Sequence, residues 1–350
     1  MKISTSTSLV LAGLALLIVQ CTAFSSSATH SRKGLQMNFL GDLFGASKKA
    51  SSPPSPMKVA VTGSSGLVGK ALCEALAAGG AEVIPVARTG GGGGMFDLSA
   101  LEGADAVVHL AGEGVASGEG LLAATGRWSE GKKARILASR VEGTAEVAAA
   151  VAGMKRPPKV LVCASAVGYY GYTAGAAELA EGAPRGEGFL AEVCERWEAA
   201  ARPAAANTRV VNLRLGVVLA REGGALAKLL PIFSLGAGGN LGSGAQYFSW
   251  VSLRDVVRGI LFALETKSLA GPANLTAPQP CTNAEFTAAL GRALNRPAVV
   301  PVPEFAGKII FGQMGEEMLF GGQRVLPGAL TAKGFQFEDT EIGEALVGIV

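Results

Sequence analysis

Through the folded part of the chain, apolar residues gather in short unbroken runs, and the segments between them repeat at helical spacing. Lys58–Thr62 (KVAVT) is a β-branched run of the kind that forms a strand covered on both faces. LVGKALCEALAA (67–78) repeats apolar residues at helical spacing, and Gly79-Gly80 ends that predicted helix. AEVIPVA (81–87) predicts a second strand and DAVVHLAGEG (105–114) a further buried one, while GFLAEVCERWEAAA (188–201) returns to the helical pattern. Strands alternating with helices predict an α/β fold built on a doubly wound parallel sheet.

The first strand and helix are joined by glycines at Gly63, Gly66 and Gly69. Strand, glycine turn, helix, strand is the context in which such spacing binds a dinucleotide. Gly63 permits the tight turn, Gly66 lets backbone approach a pyrophosphate, and Gly69 lets helix and strand pack closely. The amides of Ser64, Ser65, Leu67 and Val68 then lie at the helix N-terminus, which favours an anion. Where an acid would bind a ribose 2′-hydroxyl, the second strand ends Ala87-Arg88-Thr89. An arginine there suits a 2′-phosphate, which predicts NADP(H) rather than NAD; the alternative for Arg88 is a solvated strand end. Asp97, in MFDL (95–98), is placed to reach the adenine amino group, and Leu110, Ala111 and Gly112 end the next strand of the same site. His109, inside an apolar run, reads as a packed core residue. The Gly90–Gly94 run reads as a flexible loop.

Charge changes the picture mainly at the N-terminus. The chain carries a formal +3, but residues 1–56 hold Lys2, Arg32, Lys33, Lys48 and Lys49 against Asp42, which leaves Met57–Val350 at −1. A near-neutral body excludes the broad basic footprint of nucleic-acid binding. LVLAGLALLIVQ (9–20) is too short for a comfortable membrane span and has the length of a signal-peptide core. The following segment from Phe24 is rich in Ser and basic residues and free of acids until Asp42, as in a transit peptide. The expected organisation is a signal peptide (1–23), a transit peptide and linker (24–56), a nucleotide-binding domain (57–265, with a substrate-side excursion near 220–248) and a C-terminal substrate-side region (266–350). A two-part leader opening on Phe resembles the plastid presequence of algae with secondary plastids; plain secretion is the alternative. Cys73, Cys163, Cys194 and Cys281 have no C-x-x-C spacing and read as reduced thiols. No metal site is expected, since the chain has two histidines. No mature transmembrane helix is evident, although the amphipathic tail DTEIGEALVGIV has the pattern to touch a membrane or partner.

The candidate chemistry gathers around CASAVGYYGYT (163–173). Ser165 is placed to hydrogen-bond a substrate oxygen at a strand end, and Tyr169 or Tyr170 to reach the same place. Glu113, after Ala111-Gly112, is a nearby carboxylate with an acid–base option, the alternative being a solvated loop acid. Arg127, Lys132, Lys133 and Arg140 suit an anionic substrate or an exposed basic face.

GSSGLVG, DAVVHLAG, SRVEGTAEV, CASAVGYYG, NLRLGVVL and FSWVSLRDVV occur in the order found in extended short-chain dehydrogenase/reductases. RWSEGKKARILASR (127–140), the segment 224–250 and EEMLFGGQRVLP (316–327) resemble more closely the atypical NADP-binding epimerase-family members, over roughly residues 57–345. The resemblance implies a Rossmann-like doubly wound domain with a smaller C-terminal region, and plant chloroplast relatives are linked to plastid division. It also implies a tyrosine acidified by a lysine four positions on. Tyr169, Tyr170, Tyr172 and Tyr247 are followed at that spacing by Thr173, Ala174, Ala176 and Val251. The helix that would carry the pair has Phe189 or Leu190 and Val193 or Cys194 instead, and Arg140 stands where the resemblance implies an asparagine among the cofactor contacts. A tyrosine without its lysine, with an ordinary pKa of about 10, is a poor base. Two readings follow: an NADP(H)-dependent oxidoreductase or epimerase-like enzyme acting on a small molecule without that pair, or a catalytically weak NADP-binding structural or redox-sensing factor.

Overall fold

The computed structural model describes residues 56–89, 96–116, 125–173 and 175–350. The signal and transit segments and the Gly90–Gly94 loop lie outside the described residues. Strands β1 (Lys58–Thr62), β2 (Glu82–Val86), β3 (Ala106–His109), β4 (Val160–Ala166), β5 (Arg209–Leu215) and β6 (Gly271–Leu275) form a parallel sheet in the order β6-β5-β4-β3-β1-β2. Pro85, which has no amide hydrogen to donate, sits on the edge strand β2, where a sheet tolerates it. The strand order turns back at β1 and β3, so their C-terminal ends flank the crevice where doubly wound sheets bind ligands.

Helices α1 (Leu67–Ala78), α2 (Glu130–Gly153), α3 (Phe189–Ala201), α4 (Gly224–Ser234) and α5 (Leu253–Glu265) follow in chain order. Successive strand residues face opposite ways, and both faces are covered, which is why the strands read as unbroken apolar runs. Val59, Val61, Val108 and Val162 pack with Leu72 and Leu76 of α1 and with Val256 and Ile260 of α5. Ala60, Val107, Leu161 and Cys163 pack with Val147, Ala148 and Val151 of α2 and with Ala201 of α3. Each fully buried Val, Leu or Ile among them contributes about 1.5–3 kcal/mol by leaving water. Because β6 belongs to it, the parallel sheet extends to Leu275, beyond residue 265. Gly271-Pro272 opens β6 and hides it from a reading based on apolar runs.

The C-terminal region holds α6 (Asn283–Ala293), α7 (Glu304–Gly315), a five-residue helical turn Gly328–Ala332 and α8 (Ile342–Ile349). Leu226, Phe233, Trp250, Phe286, Leu290, Ile342 and Leu346 form a separate core that joins the excursion to the C-terminal region. Ile342, Ala345 and Leu346 of the tail are thus covered from within the chain, while Val347 stays exposed. A short parallel ribbon pairs Arg324–Val325 with Glu178–Leu179. Glu317, 8% exposed in the turn after α7, accepts hydrogen bonds from the backbone amides of Phe189 and Leu190, each at 2.9 Å. A carboxylate on a helix N-terminus is favoured by the helix dipole, and here it fastens the C-terminal region to α3. The four described cysteines are free thiols, and burial pushes Cys163, Cys194 and Cys281 up to about 12. Asn274, the acceptor of the chain's Asn-Leu-Thr glycosylation sequon, is fully buried. No helix among the described residues is long and apolar enough to cross a membrane.

His109 is fully buried, as its apolar run implies, and its Nδ1 lies 2.7 Å from Thr62 Oγ1. The Thr62 oxygen also accepts from the amides of Leu110 and Ala111, so the hydroxyl donates to Nδ1 and the ring proton resides on Nε2. Burial, with the Arg88 charge in support, lowers the His109 pKa to about 4. Between pH ~6.5 and pH ~4 the unfolded chain therefore binds a proton that the folded chain refuses, so stability falls as pH falls through that window, by up to ~1.4 kcal/mol per pH unit. His109→Gln is expected to lose less Tm between pH 7 and pH 5 than the wild type; parallel losses would contradict this account.

Candidate functional site

The glycine turn divides into two positions fixed firmly by the protein's own packing and one fixed less tightly. Gly63 has φ +69°, and a Cβ there would stand 2.9 Å from the Ala111 nitrogen and the Leu110 carbonyl carbon. A Cβ on Gly69 would overlap the Gly63 carbonyl oxygen. Gly66, the N-cap of α1, would meet only the Gly63 oxygen, at 3.3 Å. No side chain caps α1, and no acid stands in its first turn. The first-turn amides, flanked by the exposed Ser65, are therefore free to bind an external anion beside Gly66.

On the β2 side, Arg88 is exposed, bridges Phe96 through the backbone, and holds its guanidinium 5.8 Å from the centre of that ring. Asp97 is exposed too, but its Oδ1 accepts from the Ser99 amide and hydroxyl, capping a short helical turn, which leaves Oδ2 to face outward. On the β3 side, Leu110 and Ala111 hang on Thr62, and Gly112 lies against Arg140. Arg140 donates to the carbonyls of Glu113 and Ile136 and lies over the Trp197 ring, 5.0 Å from its centre.

Three of the expected catalytic side chains are engaged elsewhere. Glu113 receives the nearly buried Lys132 ammonium at 2.6 Å, and this hydrogen bond holds its carboxyl below the usual range against the opposing effect of burial. Its backbone is gripped by Ser139 and Arg140, so it anchors the loop as a charged carboxylate and is a poor acid. Ser165 is 2% exposed and donates its hydroxyl to Glu198 at 2.8 Å, so it presents no open face to a substrate. Tyr170 is equally closed: its hydroxyl donates to Asn274 at 2.7 Å and accepts from Arg214 at 2.9 Å, and burial raises its pKa. Tyr169 is half-buried, with the Arg214 guanidinium 3.5 Å from its ring centre.

These groups belong to one buried network. Arg214 makes a two-pronged pair with Glu198 at 2.7 and 2.8 Å. Burial opposes the Arg214 charge, but Glu198 and Tyr170 outweigh it and hold its pKa above the ordinary value. Glu198, Arg214 and Asn274 escaped the sequence reading. Arg214 had left a signal, as a charge inside the apolar strand NLRLGVVL. At the positions where the resemblance implies the pair, Phe189 packs edge-on to Trp128 at 5.3 Å, Leu190 lies under Gly168, and Val193 and Cys194 are buried. Arg127 donates to the Ile309 carbonyl and Lys133 pairs with Glu130. A depression between α6 and α8, lined by Arg292, Glu344 and Val347, contains none of these residues.

The sheet order and the uncapped glycine turn define a doubly wound protein of the dinucleotide-binding class. Residues 59–275 match the NAD dependent epimerase/dehydratase family, and residues 302–349 match a domain of unknown function, DUF1731. The chain belongs to the NAD dependent epimerase/dehydratase family. An epimerase family protein of Mycobacterium leprae is 44% identical over 299 residues, 82% of this chain and 94% of that protein. A chloroplastic SDR39U1 homologue of Arabidopsis thaliana is 38% identical over 319 residues, 86% and 89% of the two chains. The crystal structure of human epimerase family protein SDR39U1 (isoform 2) with NADPH superposes with a TM-score of 0.76 at 38% identity, covering 84% of this chain and 99% of that one.

The buried pair carries a stability cost when broken. Glu198→Ala strands the Arg214 charge and is expected to destabilise the protein by about 3–5 kcal/mol in chemical denaturation. Combining it with Arg214→Met is expected to cost less than the sum of the two single changes. A loss under ~1 kcal/mol for Glu198→Ala would show that the pair is not buried as described.

Proposed function

We propose that the protein binds NADP(H) across the C-terminal ends of β1, β2 and β3. The observation that carries this reading is the uncapped N-terminus of α1 at Gly66, where a Cβ would meet only the Gly63 oxygen, at 3.3 Å, and whose missing side chain leaves the helix open to a pyrophosphate. The amides of Ser64, Ser65, Leu67 and Val68 hold the phosphates, with Gly63 and Gly69 shaping the turn. Arg88 meets the 2′-phosphate, and Asp97 reaches the adenine through its outward oxygen. Leu110, Ala111 and Gly112, with Arg140 beneath them, border the nicotinamide half. The human SDR39U1 structure with NADPH supports the same choice of cofactor.

Bound there, the cofactor supplies a hydride donor or acceptor. The reading is an oxidoreductase or epimerase-like enzyme that acts on a small-molecule substrate without a Tyr–Lys pair. A second reading, a catalytically weak NADP-binding structural or redox-sensing factor with a place in plastid division, is favoured by one observation. Ser165 and Tyr170 spend their hydroxyl protons inside the protein, and Glu113 is held charged by Lys132. A substrate screen that follows NADPH absorbance separates the two, since turnover by the wild type contradicts the second.

The leader and the chloroplastic Arabidopsis relative support plastid import. Secretion of a leader fusion, with the mature chain starting near Phe24, would contradict it.

The cofactor assignment is tested by titration with NADPH and NADH. The wild type is expected to bind NADPH at least about tenfold more tightly, the worth of one charge-assisted contact to the 2′-phosphate. Arg88→Ala is expected to lose that preference while keeping its affinity for NADH. Equal affinities in the wild type would refute the role given to Arg88.

A further inference from the structure

Arg140, unlike Lys132 and Lys133 of the same helix, is held in no ion pair, although Glu113 lies near enough for its charge to act on the guanidinium. Lys132 is paired with Glu113 and Lys133 with Glu130. Arg140 gives hydrogen bonds only to two backbone carbonyls, and among the described residues no carboxylate stands within ion-pair distance of it. Its guanidinium is partly buried, a setting that lowers its pKa by desolvation. The position is equally specific. The guanidinium carbon lies 3.4 Å from where a Gly112 Cβ would stand, above the Trp197 ring and beside Cys194 on α3. Gly112 follows Ala111, which touches Gly63 of the turn, so a dinucleotide laid across the turn carries its nicotinamide half toward this charge.

We propose that Arg140 determines cofactor redox specificity: its charge, held in no ion pair and set beside Gly112, favours the neutral reduced nicotinamide over the positively charged oxidised ring, so that the protein retains NADPH and releases NADP+. The inference rests on the NADP(H) reading above and adds the ring's charge as the property being sensed. Two like charges in a partly buried site repel far more than in bulk water, enough for about a tenfold difference in affinity.

The test is a set of binding titrations on the folded protein with NADPH, NADP+ and 2′-phospho-ADP-ribose, which lacks the nicotinamide ring. The wild type is expected to bind NADPH about tenfold more tightly than NADP+. Arg140→Met is expected to bring that ratio near one, Arg140→Lys to keep most of it, and neither to change 2′-phospho-ADP-ribose affinity by more than about twofold. If Arg140→Met does not fold, Arg140→Gln takes its place in the comparison with Arg140→Lys. Equal wild-type affinities for the two redox forms, or one ratio shared by the charged and uncharged variants, would overturn this inference alone. A wild type that binds neither NADPH nor 2′-phospho-ADP-ribose would overturn the cofactor reading with it.

Discussion

The turn between β1 and α1 packs so closely against the end of β3 that neither Gly63 nor Gly69 has room for a side chain. Gly63 meets the Leu110–Ala111 backbone, and Gly69 meets the carbonyl of Gly63 itself. This contact sets α1 at the crevice where the strand order turns back, with its N-terminus uncapped. Thr62 reinforces it by gathering the amides of Leu110 and Ala111 onto one hydroxyl, while His109 accepts the hydroxyl proton. The remaining site residues take their places from that junction, Arg88 through β2 and Arg140 through Gly112.

On the far side of β3 the same sheet carries charge instead of space. Glu198, Arg214, Tyr170 and Asn274 join α3, β5, the turn after β4 and β6 through bonds of 2.7–2.9 Å. Glu317 fixes the start of α3 from the C-terminal region. A buried ion pair of this kind adds little net stability, since desolvation offsets its attraction, but it penalises any arrangement that separates its members. The helix that would carry a Tyr–Lys pair is thereby held by structural bonds at both ends. In the proposed cofactor site this leaves Arg140 as a fixed cation beside Gly112, with Ser165, Tyr170 and Glu113 engaged within the protein.

The parts of the fold governed by periodicity were legible in the sequence. KVAVT, LVGKALCEALAA and DAVVHLAGEG became β1, α1 and β3 because buried parallel strands and amphipathic helices leave simple patterns. β6 was not legible, since its opening Gly271-Pro272 interrupts the apolar run. Spacing identified the glycine turn and the lack of a lysine after each tyrosine. It could not reveal that Ser165 points at Glu198, 33 residues away, because that pairing is made by packing α3 on the sheet. The Glu113–Lys132 pair was hidden for a related reason: Lys132 lies in the following helix, and only the fold brings the two together.

The central claim is that the open N-terminus of α1 is held for the phosphates of NADP(H). Hydrogen exchange of the amides from Ser64 to Val68, measured with and without saturating NADPH, tests it most directly. Exchange there is expected to slow by about tenfold or more when NADPH is present, as amides gain a bound anion, with no comparable change in α6 or α8. Binding of NADPH that leaves those amides exchanging at their original rates would contradict the account.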